Sequence, residues 1–365
     1  MAERKRILIV GAGAIGCFYG SRLHNPSQNV YVSLVCRSNF KAISSAKGVQ
    51  MQTHSFGDYF FEPEFIFPSI DAAGSEKDVK WDYVLVATKA LPDVSDDSSR
   101  LESLRNGLEG QGRGWCLVLV QNGVGVEDPY RKRFGEGLKI LTAVTVANAE
   151  QIRDGVVKQN RWTRISLGPY TDGLGNGLAA AGAGKKLSDD FIQLLTQGGI
   201  RDAEGHTERE MQTLRWHKIA INAAMNPSSV LSNGAPNADM ASDLELRAHL
   251  RECMYEVFRA AEVVLGMKPG SFPPKGMATP EAILTSTQRN AGGRPSMLGD
   301  WERGSQMELE VILGNPIRAA KAKGADMPRL QTMYALLKMA QKRRDEASST
   351  KSHTTSGIRD SSAKL

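Results

Sequence analysis

The sequence predicts an α/β protein: an N-terminal Rossmann-type doubly wound parallel sheet followed by an all-helical C-terminal domain. Three observations carry this. Short apolar runs recur through the first 170 residues with helical stretches between several of them, the pattern of strands covered on both faces. The first run leads straight into Gly11-Ala12-Gly13-Ala14-Ile15-Gly16. Beyond about Glu208 the apolar spacing becomes helical and stays so. A length of 365 residues is more than one hydrophobic core usually supports, which agrees with two domains.

Taken in order, residues 7–10 read as a first strand, 15–23 as a helix and the valine-rich 30–35 as a second strand. Residues 83–87, 116–120, 140–146 and 165–167 read as further buried strands. The Gly- and Ala-dense stretch 168–184 reads as a loop with little structure of its own. Helical runs follow at 210–225, 242–265 and 305–323, with a Pro- and Gly-rich loop at 266–275. The expected organisation is a sheet domain over 1–205, a helical domain over 206–343 and a tail over 344–365. From Arg344 onward the chain is Ser, Thr, Lys and Asp with almost no apolar residues, so disorder is expected there.

Composition narrows the function classes. The hydrophobic share is 41%, the charged share 24% and the net charge +6, all ordinary for a globular protein. Lys and Arg are scattered rather than striped, which argues against nucleic-acid binding. No stretch approaches the roughly 18 apolar residues of a membrane span, and the opening Met-Ala-Glu-Arg-Lys-Arg leads into a strand rather than a secretory signal. Cys17, Cys36, Cys116 and Cys253 are far apart and form no CxxC pair. They suit a reducing compartment and offer neither a metal site nor a disulfide framework.

The glycine run is a GxGxxG motif between a strand and a helix, the context a dinucleotide site requires. Gly11 permits the tight turn, Gly13 lets a pyrophosphate approach the backbone, and Gly16 lets helix pack on strand. Ala12, Ala14 and Ile15 complete the loop, and the helix N-terminus supplies N–H groups and a partial positive charge. The end of the second strand selects the cofactor. An acid there would bond the ribose 2′-hydroxyl of NAD; this chain has Val35-Cys36-Arg37-Ser38-Asn39. Arg37 can grip a 2′-phosphate in bidentate fashion, with hydrogen bonds from Ser38 and Asn39, so NADP is expected. The alternative is a solvated loop arginine. Two later strand ends carry polar groups: Lys89, within reach of a phosphate or ribose, and Asn122, within reach of the nicotinamide or the substrate. Otherwise both are turn residues.

In the helical half, Lys218, Asn222 and Asn226 stand at i, i+4 and i+8, on one face of an otherwise largely apolar helix. A buried lysine is costly without a purpose or a counter-charge. A structural Lys–acid pair is the alternative reading. His217 lies about 100° away around the helix and reads as exposed or structural. Glu308 falls on the inward phase of a later amphipathic helix, which suggests a partner for a buried cation or for substrate hydroxyls. Glu302 and Glu310 read as surface acids.

Together these motifs resemble, in order and approximate spacing over about residues 5–340, the ketopantoate reductase (2-dehydropantoate 2-reductase) family. The resembling elements are the GxGxxG run, Arg37, Thr88-Lys89-Ala90, Asn122-Gly123-Val124-Gly125, the Lys218/Asn222/Asn226-Pro227 helix and the Ser296…Glu308 element. The resemblance implies NADPH-dependent reduction of ketopantoate to pantoate, on the way to pantothenate and coenzyme A. It implies that Lys218 is the proton donor to the carbonyl oxygen, that Asn222 and Asn226 bind substrate, and that Ser296 holds the substrate carboxylate. It places Glu308 at the cofactor–substrate junction, and it makes Arg37, Lys89 and Asn122 cofactor contacts, with Asn122 also near substrate. Two departures stand out. Leu313-Gly314-Asn315 replaces an Asn-Gly pair, and a further substrate-side asparagine matches Asn237 only across a gap. Reduction of another branched 2-keto acid is the nearest alternative, and a non-catalytic NADP-binding regulator a more distant one.

The chain ends Ser361-Ser362-Ala363-Lys364-Leu365, and Ala-Lys-Leu resembles the Ser-Lys-Leu address read by a peroxisomal import receptor. The expected location is therefore the cytoplasm or the peroxisomal matrix.

Overall fold

The structure is a computed structural model that describes residues 3–107, 114–174, 180–290 and 293–357. The chain divides into two compact units, Met1–Arg215 and Trp216–Leu365.

The first unit holds one sheet of ten strands among the described residues. They are β1 (Lys5–Val10), β2 (Val30–Val35), β3 (Val49–Thr53), β4 (Gly57–Phe61), β5 (Ile66–Phe67), β6 (Tyr83–Val86), β7 (Cys116–Leu119), β8 (Lys139–Arg153), β9 (Val156–Pro169) and β10 (Ala203–Gly205). The order is β4-β3-β9-β8-β7-β6-β1-β2-β5, with β10 also against β9. From β5 to β8 every neighbouring pair is parallel. The chain winds from β1 to one side through β2, crosses to the far edge for the hairpin β3–β4, comes back to β5 beside β2, and then starts the other side of β1 at β6. The carboxyl ends of β1 and β6 therefore flank the topological switch point, where open α/β sheets bind ligands.

Strand alternation explains why these segments are apolar throughout. Ile7 and Ile9 pack into one core with Cys17, Phe18 and Phe191, while Leu8 and Val10 pack into the other with Trp81, Leu104 and Tyr130. A strand covered on both faces shows no polar alternation. The same criterion misses β3, Val-Gln-Met-Gln-Thr, whose burial alternates because only one face is covered. It misses β4, mostly exposed at the sheet edge, and it reads only the inner parts of the long antiparallel pair β8–β9.

Helix α1 (Ala14–Leu23) follows β1, α2 (Phe40–Ala46) follows β2, α3 (Ile70–Gly74) follows β5, α4 (Asp97–Arg100) follows β6, and α5 (Asp128–Phe134) leads toward β8. The stretch expected as loop over 168–184 is only partly so. Residues 175–179 lie outside the described ones, and from Ala180 a helix α6 runs to Gln197 and buries Phe191 and Leu195 against the sheet. Alanine favours helix, and its mixture with glycine masked that.

Helix α7 (Glu208–Leu231) is continuous, and the division between units falls inside it after Arg215 rather than at 205/206. Its first turns belong to the sheet unit because their side chains bond there. Glu208 accepts from the backbone N–H groups of Thr171 and Gly173, each at 2.7 Å. Arg215 pairs with Glu127 at 3.1 Å.

The second unit is helical. After α7 come α8 (Asn237–Ser242), α9 (Leu244–Val264), α10 (Pro280–Gln288), α11 (Ser296–Glu302), a π-helical turn (Glu310–Gly314), α12 (Asn315–Ala322) and α13 (Pro328–Gly357). Helix α9 buries Leu250, Cys253, Met254, Val257 and Ala261 at helical spacing. The buried Glu256 of α9 accepts from the N–H groups of Arg329 and Leu330, two of the orphan donors that open α13. The tail expected to be disordered from 344 is instead helical to Gly357. Arg344 donates to the carbonyls of Trp301 and Ser305 and lies over the Trp301 ring. Polar tethers of this kind hold a helix without apolar burial. Ala363 to Leu365 lie outside the described residues. No described helix is long and apolar enough to cross a membrane.

Candidate functional site

The glycine loop shows a separate physical reason for each glycine. Gly11 has φ +106°, and a Cβ on it would stand 2.8 Å from the backbone nitrogen of Thr88. The ends of β1 and β6 meet there at a separation only glycine tolerates. At Gly13 the Cβ position is open space, with nothing within 4 Å. That is the side from which a pyrophosphate would approach. A Cβ on Gly16 would collide with the carbonyl oxygen of Gly11 and meet Ile9 at 3.0 Å. Helix α1 starts with Cys17 donating to the carbonyl of Gly13 at 2.9 Å, so the N–H groups of Ala14, Ile15 and Gly16 have no intrahelical acceptor. No acid stands in the first turn to repel an anion.

Arg37 and Ser38 are exposed just past β2. Asn39 is buried, and its amide donates to the carbonyl of Ala12 at 2.7 Å. Asn39 therefore braces the glycine loop instead of standing ready for a phosphate. Cys17 and Cys36 are both buried beside the loop, and burial pushes the Cys36 thiol up to about 12 and Cys17 up as well. They are packing groups rather than nucleophiles.

Past β6, Thr88 is half-buried and Lys89 exposed; past β7, Gln121 is buried and Asn122 half-buried. Gln121 donates to the carbonyl of Thr88 at 3.1 Å and so ties the two strand ends together. Asn122 sits in a turn with Gly123 at φ +108° and Gly125 at φ +70°. The carbonyls on either side of it, Gln121 and Gly123, accept from Nη1 of Arg215 at 3.1 and 2.8 Å. Arg215 is 2% exposed and its partner Glu127 1%. Apolar spacing alone singles out neither. The signal applied to Lys218, a charge in an apolar helix, holds equally for Arg215 three residues earlier.

In the second unit, α7 carries Lys218 and Asn222 half-buried and Asn226 buried. Spacing by four drifts about 40° per step, so the three share a face. Asn226 is 5% exposed, and its Nδ2 is buried with no hydrogen-bond partner among the described residues. A buried amide donor left open costs free energy unless a ligand meets it. Pro227 follows and cannot donate the helical bond to the carbonyl of Ala223. Asn237, at the start of α8, holds a second buried open atom, its Oδ1. His217 is structural: its Nε2 lies 2.8 Å from the carbonyl of Ala278, and its ring stacks on Phe258.

Ser296 opens α11 and is exposed; Glu308, 7% exposed, precedes the π-helical turn. These two come from segments separate from α7, which alone gathers Lys218, Asn222 and Asn226. Glu302 is exposed and pairs with Arg294, as a surface acid should. Glu310 is not a surface acid. It is buried and takes hydrogen bonds from Arg318 at 2.6 Å, Lys338 at 2.7 Å and Tyr334. The π turn that begins at Glu310 is buried on every side, so no phase of it faces solvent and helical spacing does not sort its residues into inner and outer. Burial alone would raise the Glu310 carboxyl; the bonds from Lys338, Tyr334 and Arg318 outweigh it and hold the group at about 2.

Known proteins share this layout. The family model for ketopantoate reductase PanE/ApbA matches residues 7–172, and that for its C-terminal domain matches residues 210–341. An uncharacterized protein of Saccharomyces cerevisiae is 28% identical over 92% of this chain and 93% of its own length. The 2-dehydropantoate 2-reductase of a Nostoc species is 26% identical over 93% of this chain and 95% of its own. The crystal structure of 2-dehydropantoate 2-reductase from Methylococcus capsulatus superposes with a TM-score of 0.72 at 28% identity, covering 93% of this chain and 97% of that one. With both family models matched in order across most of its length, the chain belongs to the ketopantoate reductase family.

Proposed function

We infer that this chain reduces 2-dehydropantoate to pantoate with NADPH. The observation that carries the reading is the α7 face, where a half-buried Lys218 and Asn222 lead to a buried Asn226 donor with no partner among the described residues. A small oxygen-rich acid meets such donors, and a keto oxygen meets the lysine. NADPH, when bound, supplies the hydride for the keto carbon. The residues do the rest. The open backbone at Gly13 and the first N–H groups of α1 receive the pyrophosphate. Arg37 receives the 2′-phosphate, Lys89 a phosphate or ribose oxygen, and Asn122 the nicotinamide side or the substrate. Lys218 donates a hydrogen bond to the carbonyl oxygen, stabilises its growing negative charge and delivers the proton. Asn222 and Asn226 bind the substrate, Ser296 takes its carboxylate, and Glu308 stands at the junction of substrate and cofactor.

The test is NADPH oxidation by the purified protein against a panel of 2-keto acids. The highest kcat/KM is expected for 2-dehydropantoate. A preference for another branched 2-keto acid would redirect the substrate and leave the chemistry standing. Absence of turnover with every acid would overturn the enzyme reading.

A further inference from the structure

We propose that Arg215 and Glu127 are a buried positioning pair that fixes the turn at residues 121–125 and, through it, the placement of Asn122. The inference rests on the assignment of Asn122 to the cofactor or substrate. Beyond β7 the carbonyls of Gln121 and Gly123 have left the strand ladder, and glycines with positive φ at 123 and 125 make the backbone permissive. One guanidinium supplies what the turn lacks. Its Nη1 holds both carbonyls that flank Asn122. Its Nη2 reaches the carbonyl of Ala143 at 3.3 Å and the hydroxyl of Thr142 on β8. Its Nε lies 3.1 Å from Oε1 of Glu127, which also accepts from Thr142 at 2.6 Å.

Burying two charges this deeply is expensive, and apolar residues of equal volume often serve stability as well. What apolar residues cannot supply is a planar fork aimed at several acceptors, and a lysine cannot supply it either. The pair therefore serves geometry, and its effect should pass through Asn122.

A double-mutant cycle with Asn122→Ala and Arg215→Lys in the full chain tests this, read as kcat/KM with the best keto acid. Each single change is expected to lower kcat/KM about 10- to 100-fold, the scale of a small misplacement at a reacting centre. The double variant should lie close to the worse single. If the two losses multiply, Arg215 acts independently of Asn122 and the proposal is overturned. Should Arg215→Lys fail to fold, Glu127→Gln replaces it, because it removes the counter-charge beside the guanidinium and keeps the side-chain volume. Amide hydrogen exchange gives a readout apart from activity. Faster exchange at 121–125 in either variant, with β6 still protected, is expected; unchanged exchange overturns the proposal. A silent Asn122→Ala with faster exchange would overturn the role of Asn122 and keep that of the pair.

Discussion

The two regions to which the proposed function assigns cofactor and substrate are made of different material. In the sheet unit the material is backbone: three glycines and a helix N-terminus, a loop carbonyl held by Asn39, and beyond β7 a turn carbonyl held by Arg215. In the helical unit the face of α7 is side chain: an ammonium group and two amides at a four-residue spacing. A backbone site is defined by where side chains are absent, so nearly any substitution harms it. A side-chain site is defined by helical phase, so its residue types can change while the scaffold stays. On the proposed assignment, substrate preference is therefore freer to drift than cofactor binding.

The largest expected effect separates the two regions most cleanly. Lys218→Ala should lower kcat by about 10²- to 10⁴-fold, the range for a lost acid catalyst, with NADPH affinity unchanged in a fluorescence titration. Near-normal turnover would remove Lys218 from the chemistry. Next, Gly16→Ala forces a Cβ into the Gly11 carbonyl and should cost about 1–3 kcal/mol or more of stability. Gly13→Ala enters open space, so it should leave Tm unchanged and weaken NADPH binding alone. Equal melting temperatures for the two variants would break the claim that the glycines act differently. Arg37→Ala should weaken NADPH by about 10- to 100-fold, some 1.5–3 kcal/mol, and leave NADH nearly untouched. Equal losses for both cofactors would refute the 2′-phosphate role.

The smallest effect lies outside both regions. Glu310 titrates at about 2 in the folded chain against an ordinary 4.5. It therefore adds stability that is complete above the unfolded value and is lost as pH falls through the folded one, between about 4.5 and 2. Glu310→Gln should cost roughly 1–3 kcal/mol at neutral pH, toward the lower end because Arg318 and Lys338 are half exposed and rehydrate. It should also flatten the acid limb of Tm against pH over that interval. An unchanged acid limb would detach the network from stability.

Much of this was legible in the residues. Strands buried on both faces, β1, β2, β6 and β7, announce themselves as apolar runs. The glycine loop is legible because each glycine has a steric cause. What escaped depends on partners distant in sequence. β3 is a strand through β4 and β9, and α13 continues past Arg344 through Trp301 and Ser305. Glu310 lies in a stretch, residues 307–314, that is buried all round and is held by Arg318, Lys338 and Tyr334 from later in the chain, and the acceptors of Arg215 are backbone carbonyls some ninety positions earlier.

The position of Arg215 within α7 bears on how members of this family can be recombined. A crossover placed in the loop before the helix looks natural, since that is where the sequence changes character. It would pair the Glu127 of one parent with whatever the other carries at the third position before its lysine. Where that residue is not an arginine, the chimera inherits a buried carboxylate facing a missing cation, a defect worth about 3–5 kcal/mol. Substrate-side modules should therefore be exchanged at a seam inside the helix, after Arg215, with the first turns of α7 travelling with the sheet.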